Sequence, residues 1–244
     1  PRALYLFLHT FFAGLVTAAF FMLGFSIYHL VRKHEVEAFK KTFYLSALIG
    51  LISAVAVGLA GHAQGVYLRE VQPMAAAASE AHYETADPAD FHVIAGIDQK
   101  GRRTTWTVTI PKALSFLYFF KFSGEVEGLN NIQAQYEALY GPGNYIPNIP
   151  IAFWTFRTMV GVGLLMVLLS AGALFIAWKK YPDKWIKRSG WLVWIIFLPY
   201  VANTTGWLLT ETGRQPWVVH GLMQTKDAVS PNLTPATVLI SLVG

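Results

Sequence analysis

The 244-residue chain is 54% hydrophobic and only 14% charged, against roughly a quarter charged in a soluble domain, so an ordinary water-soluble fold is excluded. It has no Cys, which excludes disulfides, Cys-ligated zinc and iron–sulfur clusters and leaves any metal to His, Met, carboxylates or an imported macrocycle. The net charge of +5 does not point to nucleic acid, because the bases cluster beside apolar runs, where they read as topology signals.

In chain order, apolar runs of about the twenty residues needed to cross a bilayer fall at Leu4 to Leu30, Phe43 to Ala60, Ile151 to Trp178 and Trp191 to Thr210. A fifth begins at Pro235 and reaches Gly244, only about 15 Å of helix and half a bilayer. With no initiating Met and no charged leader at residue 1, the sequence reads as a piece of a longer polypeptide. The expected fold is an all-α integral membrane bundle of four full transmembrane helices plus a truncated fifth. Its parts are 1–60 (two spans), 61–150 (a long segment), 151–210 (two spans), 211–234 (a second outer loop) and 235–244 (the start of a last span).

Arg32, Lys33, Lys40 and Lys41 fill one short loop, and Lys179, Lys180, Lys184, Lys187 and Arg188 fill another. The positive-inside rule makes both cytoplasmic and turns 61–150 and 211–234 outward. The long segment holds nine of the fourteen acidic residues against six bases. Its aromatic content, as in Phe116 to Phe122, predicts a folded cap on the membrane surface. The alternation in 105–110, Thr-Trp-Thr-Val-Thr-Ile, predicts a strand.

Ionisable groups inside spans are costly and face protein, cofactor or water. Four polar or sulfur-bearing side chains fall at one depth near the outer side: His9, Arg157, Met159 and Glu211. A His and a Met reaching inward from different helices can be the axial ligands of a low-spin haem. Ala13, Thr17 and Gly163 leave room for a flat ring; Arg157 suits a propionate, and Glu211 can ligate a second iron. The residues alone leave other readings open. His9 and Met159 equally suit helix packing and Arg157 snorkelling. A transporter with an Arg157/Glu211 substrate site, or a haem electron carrier without oxygen chemistry, fits the same positions. His29, His34, His62, His82, His92 and His220, at span ends or in loops, are expected to be solvated.

Residues 206–230, and above all Glu211-Thr-Gly-Arg-Gln-Pro-Trp217, closely resemble the signature of the large subunit of cytochrome bd quinol oxidases. Leu8-His9-Thr10, Val71-Gln72-Pro73-Met74 with Glu80, and Phe156-Arg157-Thr158-Met159 agree in the same order. The resemblance covers essentially the whole chain, which is similar to the second half of that subunit. It implies that His9 and Met159 ligate a low-spin haem b, that Arg157 lies beside it, and that Glu211 ligates one of two high-spin haems. Those two are a high-spin haem b and a haem d, or a second high-spin b haem. It further implies that Trp207 lies between haems, that Arg214 faces a propionate, and that 61–150 is an extracytoplasmic quinol-binding loop using Gln72 and Glu80. Ala75 departs from the family, which carries a Lys there. The implied partners are membrane quinol, oxygen, the lipid bilayer, a second large membrane subunit and a small single-span subunit, in a bacterial cytoplasmic membrane.

Overall fold

A computed structural model describes residues 2–230 and 233–243; Pro231, Asn232 and Gly244, which belong to the expected outer loop and last span, lie outside the described residues. Four helical stretches are long and apolar enough to cross a membrane: Ala3–Val31, Val36–Val71, Ile149–Trp178 and Asp183–Gly213. The first three are helices α1 (Arg2–Val31), α2 (Val36–Val71) and α6 (Ile149–Trp178). The fourth is composite: α7 (Asp183–Arg188), a 3₁₀ stretch Ser189–Phe197, and α8 (Leu198–Gly213). Pro199 in the first turn of α8 lacks an N–H and crowds the carbonyl four residues back, so a regular α-helix cannot run through it.

Helix α2, at 36 residues, is about 54 Å long, well beyond a hydrocarbon core of roughly 30 Å. Its apolar run ends near Ala60, but the helix continues for three more turns as a post under the cap. It stops where Pro73 opens α3 (Pro73–Glu80), with Gln72 held out of helical geometry at φ −143°. The long segment then forms a hairpin of β1 (Phe91–Asp98) and β2 (Arg103–Ile110), followed by α4 (Ala113–Phe119) and α5 (Leu129–Tyr140). The strand expected at 105–110 is therefore part of a longer β2. Its antiparallel partner was not anticipated, because bulges between His92 and Ile94 and between Gly96 and Ile97 spoil the period-two pattern that would have announced it. Asn148 caps α6, its Oδ1 accepting the Ile151 N–H at 3.1 Å. A short hairpin, β3 (Trp217–Val219) and β4 (Met223–Gln224), follows α8, and α9 covers Pro235–Val243.

The bundle has two cores. At the basic end Val16, Phe20, Leu23, Ile27, Phe43, Ala47, Met166, Ala173 and Ile195 pack tightly. Gly24 admits the 3₁₀ stretch there, since a Cβ would lie 3.0 Å from the Val193 carbonyl. At the other end Met74, Ala78, Tyr83, Leu129, Ile132, Tyr136, Tyr145, Ile149, Phe153 and Trp217 form one apolar cluster. That cluster joins α3 and α5 of the cap to the first turns of α6 and to the β3 hairpin, so the cap and the helix ends are a single packed unit. Between the two cores α1 and α6 stand across the bundle from each other, each packed on α2 and α8.

Candidate functional site

Helix α3 is nearly all alanine, Met74-Ala-Ala-Ala-Ala-Ser-Glu80, and buried along its length. Small side chains let it lie close against α6 and α8. That placement carries Glu80, at the helix end, into the interior, where it is 4% exposed. Arg157, from the third turn of α6, meets it: Nη2 donates to Glu80 Oε2 at 2.6 Å, and Nε donates to the His92 carbonyl at 2.7 Å. The guanidinium is walled by Phe91, Phe153 and Phe156, with ring centroids 4.3, 4.6 and 5.1 Å from Cζ. His92 Nδ1 donates to the Glu80 carbonyl at 3.0 Å, and the His82 ring lies 5.7 Å from the His92 ring.

Burial pushes the Glu80 carboxyl above its ordinary range, and the Arg157 charge only partly opposes this. The same burial lowers His92 and takes His82 down to about 4, helped by the neighbouring imidazole. Both histidines are thus neutral at pH 7 and sheltered, not solvated as the sequence had suggested. His220 is also half-buried, within 3.0 Å of the Tyr136 hydroxyl.

Glu80 lies at the foot of a cleft of about 330 Å³ lined also by Arg69, Pro73, Ala76, Tyr118, Phe119 and Ile132. The size is that of a site for a small organic ring. Pro73, Ala76, Ala77 and Glu80 are the α3 positions that reach it, as helical spacing demands. Ala75 lies on another face, buried, with its Cβ 3.8 Å from where a side chain on Gly213 would begin. Gln72 sits at the α2–α3 break, its carbonyl accepting from the Ala75 and Ala76 N–H groups.

Below the cap, His9 faces α2: a Cβ on Gly61 would sit 3.1 Å from the imidazole. Across the bundle a Cβ on Gly206 of α8 would come within 2.9 Å of Met159 Sδ. Around this level packing is loose. Nothing lies within 4 Å of a Cβ built on Gly58, Gly65 or Gly163, and α2 from Gly61 to Arg69 is nowhere fully buried. His9 Nδ1 and Arg157 Nη1 are buried without a hydrogen-bond partner among the described residues. Orphaned polar atoms beside an open, glycine-lined layer fit a large flat group with acidic arms.

The transporter reading is not favoured. Arg157 turns toward the cap and Glu80, while Glu211 pairs within its own helix end with Arg214; the two do not form one site. Trp207, one turn before Glu211, is 62% exposed on this chain. Sequence reasoning missed Arg69, Tyr118, His82 and His92, all of which the fold gathers around Glu80 or its cleft. Only Arg69 left a signal, as a charge on the buried-side face of a helix that outruns its apolar stretch.

A fold of four membrane-length helices under a cap, with a buried carboxylate beside a cleft, is that of an integral membrane subunit. Residues 1–244 match the profile of cytochrome bd terminal oxidase subunit I from end to end, and the chain belongs to that family. It is 44% identical over 238 residues to cytochrome bd ubiquinol oxidase subunit 1 of Bacillus subtilis, covering 96% of this chain and 50% of that protein. To the cytochrome bd-II ubiquinol oxidase subunit 1 of Escherichia coli it is 27% identical, covering 97% and 57%. The solved bd oxidase from Geobacillus thermodenitrificans superposes with a TM-score of 0.80 at 28% identity, over 96% of this chain and 52% of that one. The chain thus spans about half the length of the relatives it matches.

Proposed function

We propose that this chain forms the quinol-oxidising half of a cytochrome bd-type terminal oxidase, in which a membrane quinol is oxidised under the cap and oxygen is reduced to water. The observation that carries the reading is the buried Glu80 carboxylate, held by Arg157 at the foot of a ring-sized cleft. A carboxyl whose affinity for protons is raised by burial is suited to take a proton from a quinol hydroxyl, because a general base works best when its pKa approaches the working pH. Arg157 fixes the carboxylate's position, and Phe91, Phe153 and Phe156 keep water from both. Gln72 ends the post helix at the cleft's edge and sets the angle at which α3 presents Glu80.

In the layer below, His9 and Met159 would hold a low-spin haem b, with Arg157 Nη1 the donor left for a propionate. Glu211 would ligate one of two further haems, a high-spin haem b and a haem d or second high-spin b, with Trp207 beside it and Arg214 toward an acidic arm. Bound haem supplies the one-electron chemistry that links a two-electron quinol to oxygen. Trp207 is exposed and Glu211, paired with Arg214, is half-exposed on this chain, which supports their completion by the rest of the subunit. A second large membrane subunit and a small single-span subunit complete the assembly in a bacterial cytoplasmic membrane, the cap facing outward and the basic loops inward.

A reduced-minus-oxidised spectrum of the purified complex, with and without carbon monoxide, tests this reading. Low-spin b-type bands plus a carbon-monoxide-reactive haem are expected, and oxygen uptake driven by quinol. A complex without haem absorption would overturn it.

A further inference from the structure

The cleft is lined by the cation Arg69 and by the carboxylates Glu70, Glu80, Glu125 and Glu127, and no strong hydrogen bond accounts for where Arg69 stands. It stands in the last turn of α2, its side chain 23% exposed. Its guanidinium carbon lies 4.4 Å from the Phe119 ring and 5.5 Å from that of Tyr118. Among the described residues its carboxylate contact is the adjacent Glu70, at 3.5 Å, well outside the 2.7–2.9 Å of a strong charge-assisted hydrogen bond. Arg157, by contrast, has given Nε and Nη2 to His92 and Glu80. A planar cation held over aromatic rings keeps its in-plane N–H groups free to donate, and here the cleft lies beside them.

We infer that Arg69 binds the quinol, donating to the ring oxygen that is not facing Glu80. This rests on the proposed quinol site. A quinol has oxygens at both ends of one flat ring. The cleft is lined by a buried acceptor, Glu80, a guanidinium donor, Arg69, apolar side chains from Ala76, Phe119 and Ile132, and the further carboxylates Glu70, Glu125 and Glu127. Glu80 accepts a hydrogen bond from the first hydroxyl, and Arg69 donates to a lone pair of the second oxygen, so the ring is gripped at both ends. Position 75 does not contribute, since Ala75 points to α8. Arg69 acts equally on quinol and quinone, because both present an oxygen lone pair. Its interaction is therefore of the uniform kind, felt in KM more than in kcat.

The experiment uses the whole oxidase complex in three forms: wild type, Arg69→Gln and Arg69→Lys. Quinol-driven oxygen uptake is measured beside uptake from an artificial one-electron donor. Arg69→Gln should raise the quinol KM roughly ten- to hundred-fold, the range for losing a hydrogen bond to a charged group, with kcat within a few-fold and the artificial donor unaffected. Arg69→Lys, which keeps charge but not the planar fork, should fall between. A second measurement covers a variant that fails to assemble. In the wild type, a ring analogue lacking the second oxygen should inhibit at least tenfold more weakly than its oxygenated counterpart. Unchanged KM in Arg69→Gln, or equal inhibition by the two analogues in the wild type, would overturn the inference. Glu80→Gln separates the two readings. If it impairs quinol oxidation while Arg69→Gln does not, only the role of Arg69 is lost. If neither does, the cleft is not the quinol site and both are lost.

Discussion

Glu80 and Arg157 stand 77 positions apart and meet at 2.6 Å, their side chains 6% and 10% exposed. One comes from the end of an alanine-rich cap helix and the other from the third turn of a membrane-length helix, so this pair pins the cap to the bundle. Truncating one member of a buried pair leaves the other charge uncompensated, at about 3–5 kcal/mol. Arg157→Met should therefore destabilise the complex by that order in thermal unfolding. The double variant Glu80→Leu/Arg157→Met, inactive with quinol, should recover most of the loss, because a well-packed apolar pair replaces buried charge at little cost. Equal melting of the single and double variants would show that the pair carries no coupling.

The catalytic counterpart is Glu80→Gln. The amide keeps the size and an acceptor for Arg157 but cannot take a quinol proton. Quinol-driven oxygen uptake should fall roughly 10²-fold, while an artificial donor still supports turnover. Because burial raises the Glu80 pKa, the wild-type kcat/KM should fall as pH drops through that raised value, where the base becomes protonated. The variant should lack this acidic limb. An identical pH profile in both would assign the limb to another group.

The four membrane-length apolar helices were legible because hydropathy over twenty residues reports what a bilayer demands. What it does not report is where a helix ends once outside lipid, which is why α2 continues eleven residues past Ala60 to Val71. Motif order singled out His9, Glu80, Met159 and Glu211 as the residues proposed for the site. The burial of Glu80 was not legible: an alanine run with one carboxylate reads equally as a solvated loop helix, and its partner lies 77 positions away. The same limit applies to Arg157: its depth suggested a propionate partner, and no local pattern announced that Nη2 and Nε turn to Glu80 and His92 of the cap, leaving Nη1 for that role. His82 and His92 became sheltered only when the bulged hairpin and α3 came together, a tertiary event with no local signature.

His82 supplies a pH test of the cap. Burial lowers its pKa from 6.5 to about 4, so the native cap binds the neutral imidazole and the unfolded chain takes up a proton first. The contribution to stability is fully present above pH 6.5 and is lost as pH falls toward 4, on the order of 3 kcal/mol in all. His82→Gln, which does not titrate, should melt with a flatter pH dependence over that window. A parallel pH profile in variant and wild type would show that His82 is charged or solvated in the native state.

Ala75→Lys tests the facing of α3. Its Cβ is packed toward Gly213 of α8, so a Lys there must bury an ammonium or push the two helices apart. Loss of thermal stability by a few kcal/mol is expected, with no lowering of the quinol KM. A tighter KM in a stably assembled variant would mean that position 75 reaches the cleft.

Gly206→Ala distinguishes a ligating Met159 from a packing one. The added Cβ would lie 2.9 Å from Met159 Sδ, closer than van der Waals contact allows, so something must move. A free thioether is flexible, with three rotatable bonds, and swings aside at little cost. A sulfur that holds iron cannot swing without losing its bond. The same substitution thus has two different readouts. If Met159 is an axial ligand, the low-spin haem spectrum and its midpoint potential should shift, and the potential should fall, since Met ligation raises it. Met159→Leu should carry that change to completion while the bundle still assembles. If Met159 only fills space, the spectrum of Gly206→Ala should be that of the wild type. Gly61→Ala makes the matching test for His9, whose imidazole would sit 3.1 Å from the new methyl. The ring is stiffer than a thioether, so the response there should be the larger of the two. Silence in both variants would remove the haem from this layer and leave the glycines as ordinary helix-packing residues.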